Sequence, residues 1–177
     1  GGALVGAALA AGVDAEALAT HVVVEAFPVA GRNPFRLLPE CEKALDLYLP
    51  ADAHEKCTDV LLVLLTKVSK RPPFLMGEVA SRFGTWAELF SCLRASCHVP
   101  LVGGFLPYPA PGRGWYYDGL VWASLFVPWR TFGGHDSVIK VSPFGAPGTD
   151  IYPRFVIPPW WAIFPPSIEA CFGLMAL

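Results

Sequence analysis

Apolar and polar positions fall into distinct regimes along this chain. Residues 1–11 are small and apolar without exception, which predicts a buried helix, and Gly12 suits its C-terminal stop. Asp14 predicts the N-cap of a second helix, with Glu16 in the first turn, where negative charge is favoured. Leu37, Leu38, Cys41, Ala44, Leu45 and Tyr48 recur at three- and four-residue spacing. They predict an amphipathic helix closed by Pro50. Residues 60–66 form a continuous apolar run of strand length, read as a strand buried on both faces in a parallel sheet. Pro72 and Pro73 punctuate the next connection. Thr85 and Glu88 have the spacing of a capping box, opening a helix through Leu89, Leu93 and Cys97 that Val99 and Pro100 end. Residues 115–117 and 138–141 are short strand candidates. Strands alternating with helices point to an α/β layered fold. There is no internal repeat and no low-complexity linker. The pattern opens inside one helix, and residues 167–177 carry no C-cap, so the 177 residues are expected to be part of one domain, cut at both ends.

Composition narrows the function classes. The hydrophobic fraction of 54% exceeds that of an ordinary soluble domain, enough for a core and for apolar surface besides. A net charge of −2 offers no field for nucleic acid, and helix-turn-helix, zinc-finger and RNP signatures are absent. The 5 cysteines, an odd number without a CxxC pair, argue against a disulfide framework and a zinc site and read as reduced core thiols. No run of about 18 apolar residues is free of proline or charge, so no membrane span is expected. In the greasiest stretch, residues 155–177, Pro158, Pro159, Pro165 and Pro166 forbid one continuous helix. The first residues lack the basic region of a signal peptide, and the absent initiator methionine implies a start elsewhere. A cytoplasmic or membrane-surface setting is expected.

Two short segments carry candidate chemistry. Gly1-Gly2-Ala3-Leu4 opens a helix of small residues, as in the second half of a nucleophile elbow, where a strained serine needs small neighbours and the helix dipole faces the developing oxyanion. An alanine-rich buried helix without function fits the same residues. In Trp115-Tyr116-Tyr117-Asp118-Gly119, a strand candidate ends in a carboxylate held by a glycine turn, suited to act as base toward a serine hydroxyl. An ordinary Asp-Gly turn fits these residues equally.

Taken in order, a set of segments resembles the patatin-like phospholipases, and within them the branch of adipose triglyceride lipase and adiponutrin. Gly1 to Leu4 continue that family's G-x-S-G/A-G-A-L elbow in register. Leu49-Pro50-Ala51-Asp52-Ala53-His54 and Leu64-Leu65-Thr66-Lys67-Val68 resemble its core strand and the stretch ahead of it. Ser81-Arg82-Phe83, with Leu89 through Pro100, resembles its "S-x-F … S-C-x-x-P" helix. Tyr117-Asp118-Gly119 matches its Asp-Gly motif. Val141-Ser142-Pro143-Phe144-Gly145, Asp150-Ile151-Tyr152-Pro153 and Phe164-Pro165-Pro166-Ser167 follow its later segments.

The resemblance implies a three-layer α/β/α patatin-like sandwich and a Ser–Asp dyad needing neither histidine nor cofactor. Asp118 would be the base, Gly1 and Gly2 the remnant of the elbow and Gly119 the motif glycine. The serine would stand directly before Gly1, with a glycine-rich oxyanion loop further upstream. The implied function is a triacylglycerol lipase or phospholipase A, with acylglycerol or phospholipid as substrate, at a lipid droplet or membrane surface, with room for a protein coactivator. His21, His54, His98 and His135 match no catalytic position of the family and read as structural or surface residues. Val102, Phe105, Leu106 and Trp115 would suit acyl chains, or serve simply as core. Leu120 replaces the family's second small residue, and Trp122-Ala123-Ser124 stands where an asparagine is usual. These departures keep a second expectation open, a catalytically inactive lipid-binding protein. A third is an unrelated α/β domain.

Overall fold

The computed structural model describes residues 1–31, 33–126, 139–143, 149–162, 164 and 167–175. Helix α1, Gly2–Ala11, ends where Gly12 adopts φ 74°, and the Gly12 and Val13 amides close back on Leu9 and Ala8. Its burial is one-sided. Ala7, Ala8 and Ala11 are buried, but Val5 and Leu9 are exposed, so apolar residues all round did not mean burial all round. Asp14 caps α2, Ala15–His21, accepting from the Glu16 and Ala17 amides at 3.0 and 3.1 Å. A π-helical turn, Val22–Ala26, leads on to α3, Phe27–Ala30. Asn33 caps α4, Pro34–Tyr48, the predicted amphipathic helix, which stops before Pro50. The short α5, Ala53–Cys57, follows.

Strand β1, Val63–Val68, starts later than the apolar run, because the Val60 and Leu61 amides turn back onto the Cys57 carbonyl and leave Val60 exposed. A hairpin then brings back β2, Leu75–Ala80, pairing Val63 with Ala80 and Val68 with Leu75. Helix α6, Trp86–Ala95, precedes β3, Tyr108–Ala110, and β4, Gly114–Asp118. The sheet order is β2-β1-β4-β3, and every pairing is antiparallel. This corrects the parallel sheet expected from residues 60–66. Double-sided burial of β1 arises instead from a central place in an antiparallel sheet with helices on both faces. On one face Val63, Leu65, Ala80 and Tyr116 join Leu89, Cys92 and Leu93 of α6 and Ala7 and Ala11 of α1 in the core. On the other lies α7, Gly119–Phe126, whose Trp122 ring sits so close over Gly77 that a Cβ there would come within 2.6 Å of it.

The Thr85 hydroxyl accepts from the Glu88 amide at 3.2 Å, while the Glu88 carboxylate reaches Gly84 rather than the cap residue's own amide. Helix α6 ends at Ala95, two residues short of the expected Cys97. Val138 lies outside the described residues, and of the strand expected there only Val141 pairs, in an isolated bridge to Ile151. After residue 155 the chain forms a 3-10 turn, Pro159–Ala162, and α8, Ile168–Met175. Among the described residues no helix is long and apolar enough to cross a membrane.

Candidate functional site

Asp118 is the last residue of β4 and the cap of α7, and its backbone and side chain are held from three directions. Its amide donates to the His98 carbonyl at 3.0 Å, and its carbonyl accepts from the Thr66 hydroxyl at 2.7 Å. One carboxylate oxygen, Oδ1, accepts from the Leu120 amide at 2.8 Å, the bond of a helix N-cap. Among the described residues Oδ2 takes no hydrogen bond. Gly119 makes the strand-to-helix junction possible. A Cβ there would press on the Leu64 carbonyl, 2.6 Å from its carbon, so only glycine lets α7 start so close to β1.

The N-terminus of α1 faces this junction. Gly1, Gly2 and Ala3 line one wall of a cleft of about 250 Å³, and Asp118, Gly119 and Leu120 line another. Leu61, Leu62, Leu64 and Ser96 complete it. The Gly1 amino group lies 3.5 Å from the Cys97 sulfur. Burial pushes the Asp118 carboxyl above the usual aspartate range, opposed in part by the Leu120 amide and the positive Gly1 amino group. Burial likewise raises the Cys97 thiol. Chemically the cleft offers a half-buried carboxylate of increased basicity, with one oxygen uncommitted, opposite the positive end of a helix dipole.

The four residues singled out from sequence, Gly1, Gly2, Asp118 and Gly119, therefore meet around one cleft. Nothing lies within 4 Å of a Cβ built on Gly1 or Gly2, so no crowding among the described residues requires glycine at either. Val102, Phe105, Leu106 and Trp115, expected near an acyl chain, do not line the cleft. Phe105, Leu106 and Trp115 are exposed to solvent instead. The apolar walls come from Leu61, Leu62, Leu64 and Leu120. Sequence reasoning also missed Ser96 and Thr66. Thr66 had a signal, being the hydroxyl that follows an unbroken apolar run.

Of the described histidines, none lines the cleft. His98 is buried, bonds the Leu106 carbonyl through Nε2 at 2.8 Å and stacks on Tyr117. His21 packs on Tyr48, and His54 faces Glu55 at 3.9 Å. His135 is outside the described residues, as are Phe144, Gly145, Pro165 and Pro166 of the later motifs. Comparison with known protein families, with curated proteins and with solved structures finds no match to this chain.

Proposed function

We propose that Asp118 is the general base of a serine–aspartate lipid acyl hydrolase of the patatin-like type, within a three-layer α/β/α sandwich. Its substrates are acylglycerols or phospholipids, met at a lipid droplet or membrane surface in the cytoplasm, with a protein coactivator as an added partner. The observation that carries this reading is that Asp118 opens onto the same cleft as the N-terminus of the glycine-led helix α1. A serine directly preceding Gly1 in the parent polypeptide would stand between the two. Its hydroxyl attacks the ester carbonyl, Asp118 takes the proton, and the α1 amides face the oxyanion. Water then attacks the acyl-enzyme with the same carboxylate as base. A carboxylate of ordinary pKa, near 4, is a weak base at neutral pH, and burial moves Asp118 in the useful direction. Leu61, Leu62 and Leu64 supply an apolar wall for an acyl chain.

One observation favours a second reading, a lipid-binding protein without activity. Leu120 projects at the cleft beside the carboxylate and is 55% exposed, bulk where a small residue would leave the approach open.

The test is hydrolysis of a lipid ester by the parent polypeptide. Asp118→Asn should fold and lose about 10²–10⁴-fold in turnover, the usual share of general base catalysis. A folded variant with near-wild-type turnover would reduce Asp118 to a turn residue. A wild type inactive with its serine in place supports the second reading; Leu120→Gly should then restore activity, and no gain from that change moves the cause from Leu120 to Trp122 through Ser124. The isolated 177 residues, lacking that serine, should not turn over a short-chain nitrophenyl ester.

A further inference from the structure

Thr66 is completely buried within β1, a hydroxyl in a strand otherwise largely apolar. It pairs with Tyr117 in the sheet and points to the face that α7 covers. Its Oγ1 makes two bonds at once, donating to the Asp118 carbonyl at 2.7 Å and accepting from the Trp122 amide at 3.0 Å. Those two groups are the pair that closes the first turn of a helix capped by Asp118. One hydroxyl thus ties the start of α7 to the central strand. The same first turn presents the Leu120 amide to Asp118 Oδ1. The carboxylate rotamer therefore depends on where that turn sits, and the turn depends on Thr66.

We infer that Thr66 is the positioning residue of Asp118, fixing through the first turn of α7 the direction in which the carboxylate faces the cleft. The inference rests on the reading of Asp118 as a base, but its test reads the carboxyl itself. The titratable groups facing Asp118 are few. The Gly1 amino group comes from α1 and the Cys97 thiol from the segment after α6. Residues 119–126 of α7 include no ionisable side chain, and Lys67 of β1, which shares the sheet face of Asp118, is engaged by Glu78 and Tyr116. A change in the Asp118 titration after mutation of Thr66 thus reports on the Leu120 bond and on solvent access, with no new charge involved.

The experiment is the titration of the Asp118 carboxyl carbon by nuclear magnetic resonance in the 177-residue chain and in three variants. Leu120→Pro removes the amide donor outright and sets the size of the full upward shift. Thr66→Ser keeps the hydroxyl and should titrate with the wild type. Thr66→Val keeps the volume, loses both bonds and should titrate higher, toward Leu120→Pro. A folded Thr66→Val chain whose Asp118 titration overlies the wild type, while Leu120→Pro shifts it, overturns the inference. If Thr66→Val does not fold, the wild type alone decides. The Thr66 hydroxyl proton should then be slow to exchange and show coupling to the Asp118 carbonyl, and rapid exchange with bulk water overturns the inference. In the parent polypeptide, Thr66→Val should lower kcat about 10–100-fold with KM retained, the mark of lost orientation. A parent without hydrolysis defeats the base reading and leaves the titration result standing.

Discussion

Strand β4 is bracketed by two carboxylate sites that behave in opposite ways. Before it, Arg113 holds Glu88 through two guanidinium nitrogens, at 2.9 and 2.6 Å, and the Gly84 amide adds a third bond at 2.8 Å. Glu78 stands 3.9 Å from the same guanidinium and takes Lys67 at 2.9 Å and the Tyr116 hydroxyl at 3.0 Å. The Gly84 bond first, then Arg113, holds the Glu88 carboxyl below the usual glutamate range. After the strand, Asp118 has one amide bond, and burial holds its carboxyl above the usual range. A carboxylate whose acceptor positions are filled by donors is spent on structure. One that is half-buried, singly bonded and open to a cleft still has capacity to take a proton. The difference separates a residue that holds the sheet together from one that the fold merely delivers.

The largest expected effect on stability tests how Asp118 is delivered. Gly119→Ala puts a methyl against the Leu64 carbonyl, and neither group is a flexible side chain that could swing aside. The junction of β4 and α7 must open, which should cost about 3 kcal/mol in chemical denaturation, at the upper end of overpacking. Gly112→Ala makes a useful control. That glycine has φ 73° but open space around it, so the substitution carries a backbone penalty without a clash. A Gly119→Ala loss no greater than the control's would show that the junction is loose and that Asp118 is not held as described.

The same contrast explains what the sequence made legible. Caps and short-range periodicity are local, and so the Gly12 stop, the Asp14 cap, α4 and the Thr85 cap could be read directly. The aspartate at a strand end followed by glycine was also local. Strand β2 was not readable, because its alternation is broken for reasons that lie elsewhere in the fold. Gly77 is small to admit the Trp122 ring, and Glu78 turns toward the core side to meet Lys67 and Tyr116. Without β2, the run at residues 60–66 looked like a parallel strand. The cleft was half legible. Its carboxylate and glycines belong to motifs, but Leu61, Leu62 and Ser96 reach it only through the path of the chain. Thr66 could be noticed as a polar residue in apolar company, yet its two partners are set by the register of β1 on β4.

Removing the charge from Glu88 should produce a smaller loss. In Glu88→Gln the single amide oxygen can keep the cap bond to Gly84 only with its NH2 turned toward Arg113, so the paired bonds are lost and Arg113 keeps the Arg82 carbonyl and, as a charged partner, the distant Glu78. About 1–2 kcal/mol should go at neutral pH. The sign with pH follows from the lowered carboxyl. Its stabilisation is present above the unfolded glutamate pKa and is lost as pH falls through the lower folded value. Wild type and Glu88→Gln should therefore converge in acid. A gap that persists below the glutamate range would mean that geometry, rather than charge, accounts for the loss.

The smallest effect is the sharpest test, because the comparison predicts its sign to be reversed. Asparagine at 118 keeps an oxygen for the Leu120 amide and caps a helix as well as aspartate does. What it removes is a charge that burial disfavours. A carboxyl whose folded pKa lies above its unfolded one binds its proton more tightly when folded, so stability falls as pH rises through that interval and stays lower above it. Asp118→Asn should thus match the wild type in acid, below the unfolded aspartate pKa. At neutral pH it should be the more stable chain, by about 0.5 kcal/mol, the gain typical of relieving a strained functional group. Parallel thermal melts of Asp118→Asn and Glu88→Gln across pH would then diverge in opposite directions from the wild type. If Asp118→Asn instead melts below wild type at neutral pH and converges with it in acid, as Glu88→Gln should, Asp118 is a satisfied structural cap. The distinction between the two carboxylates would then fail at its origin.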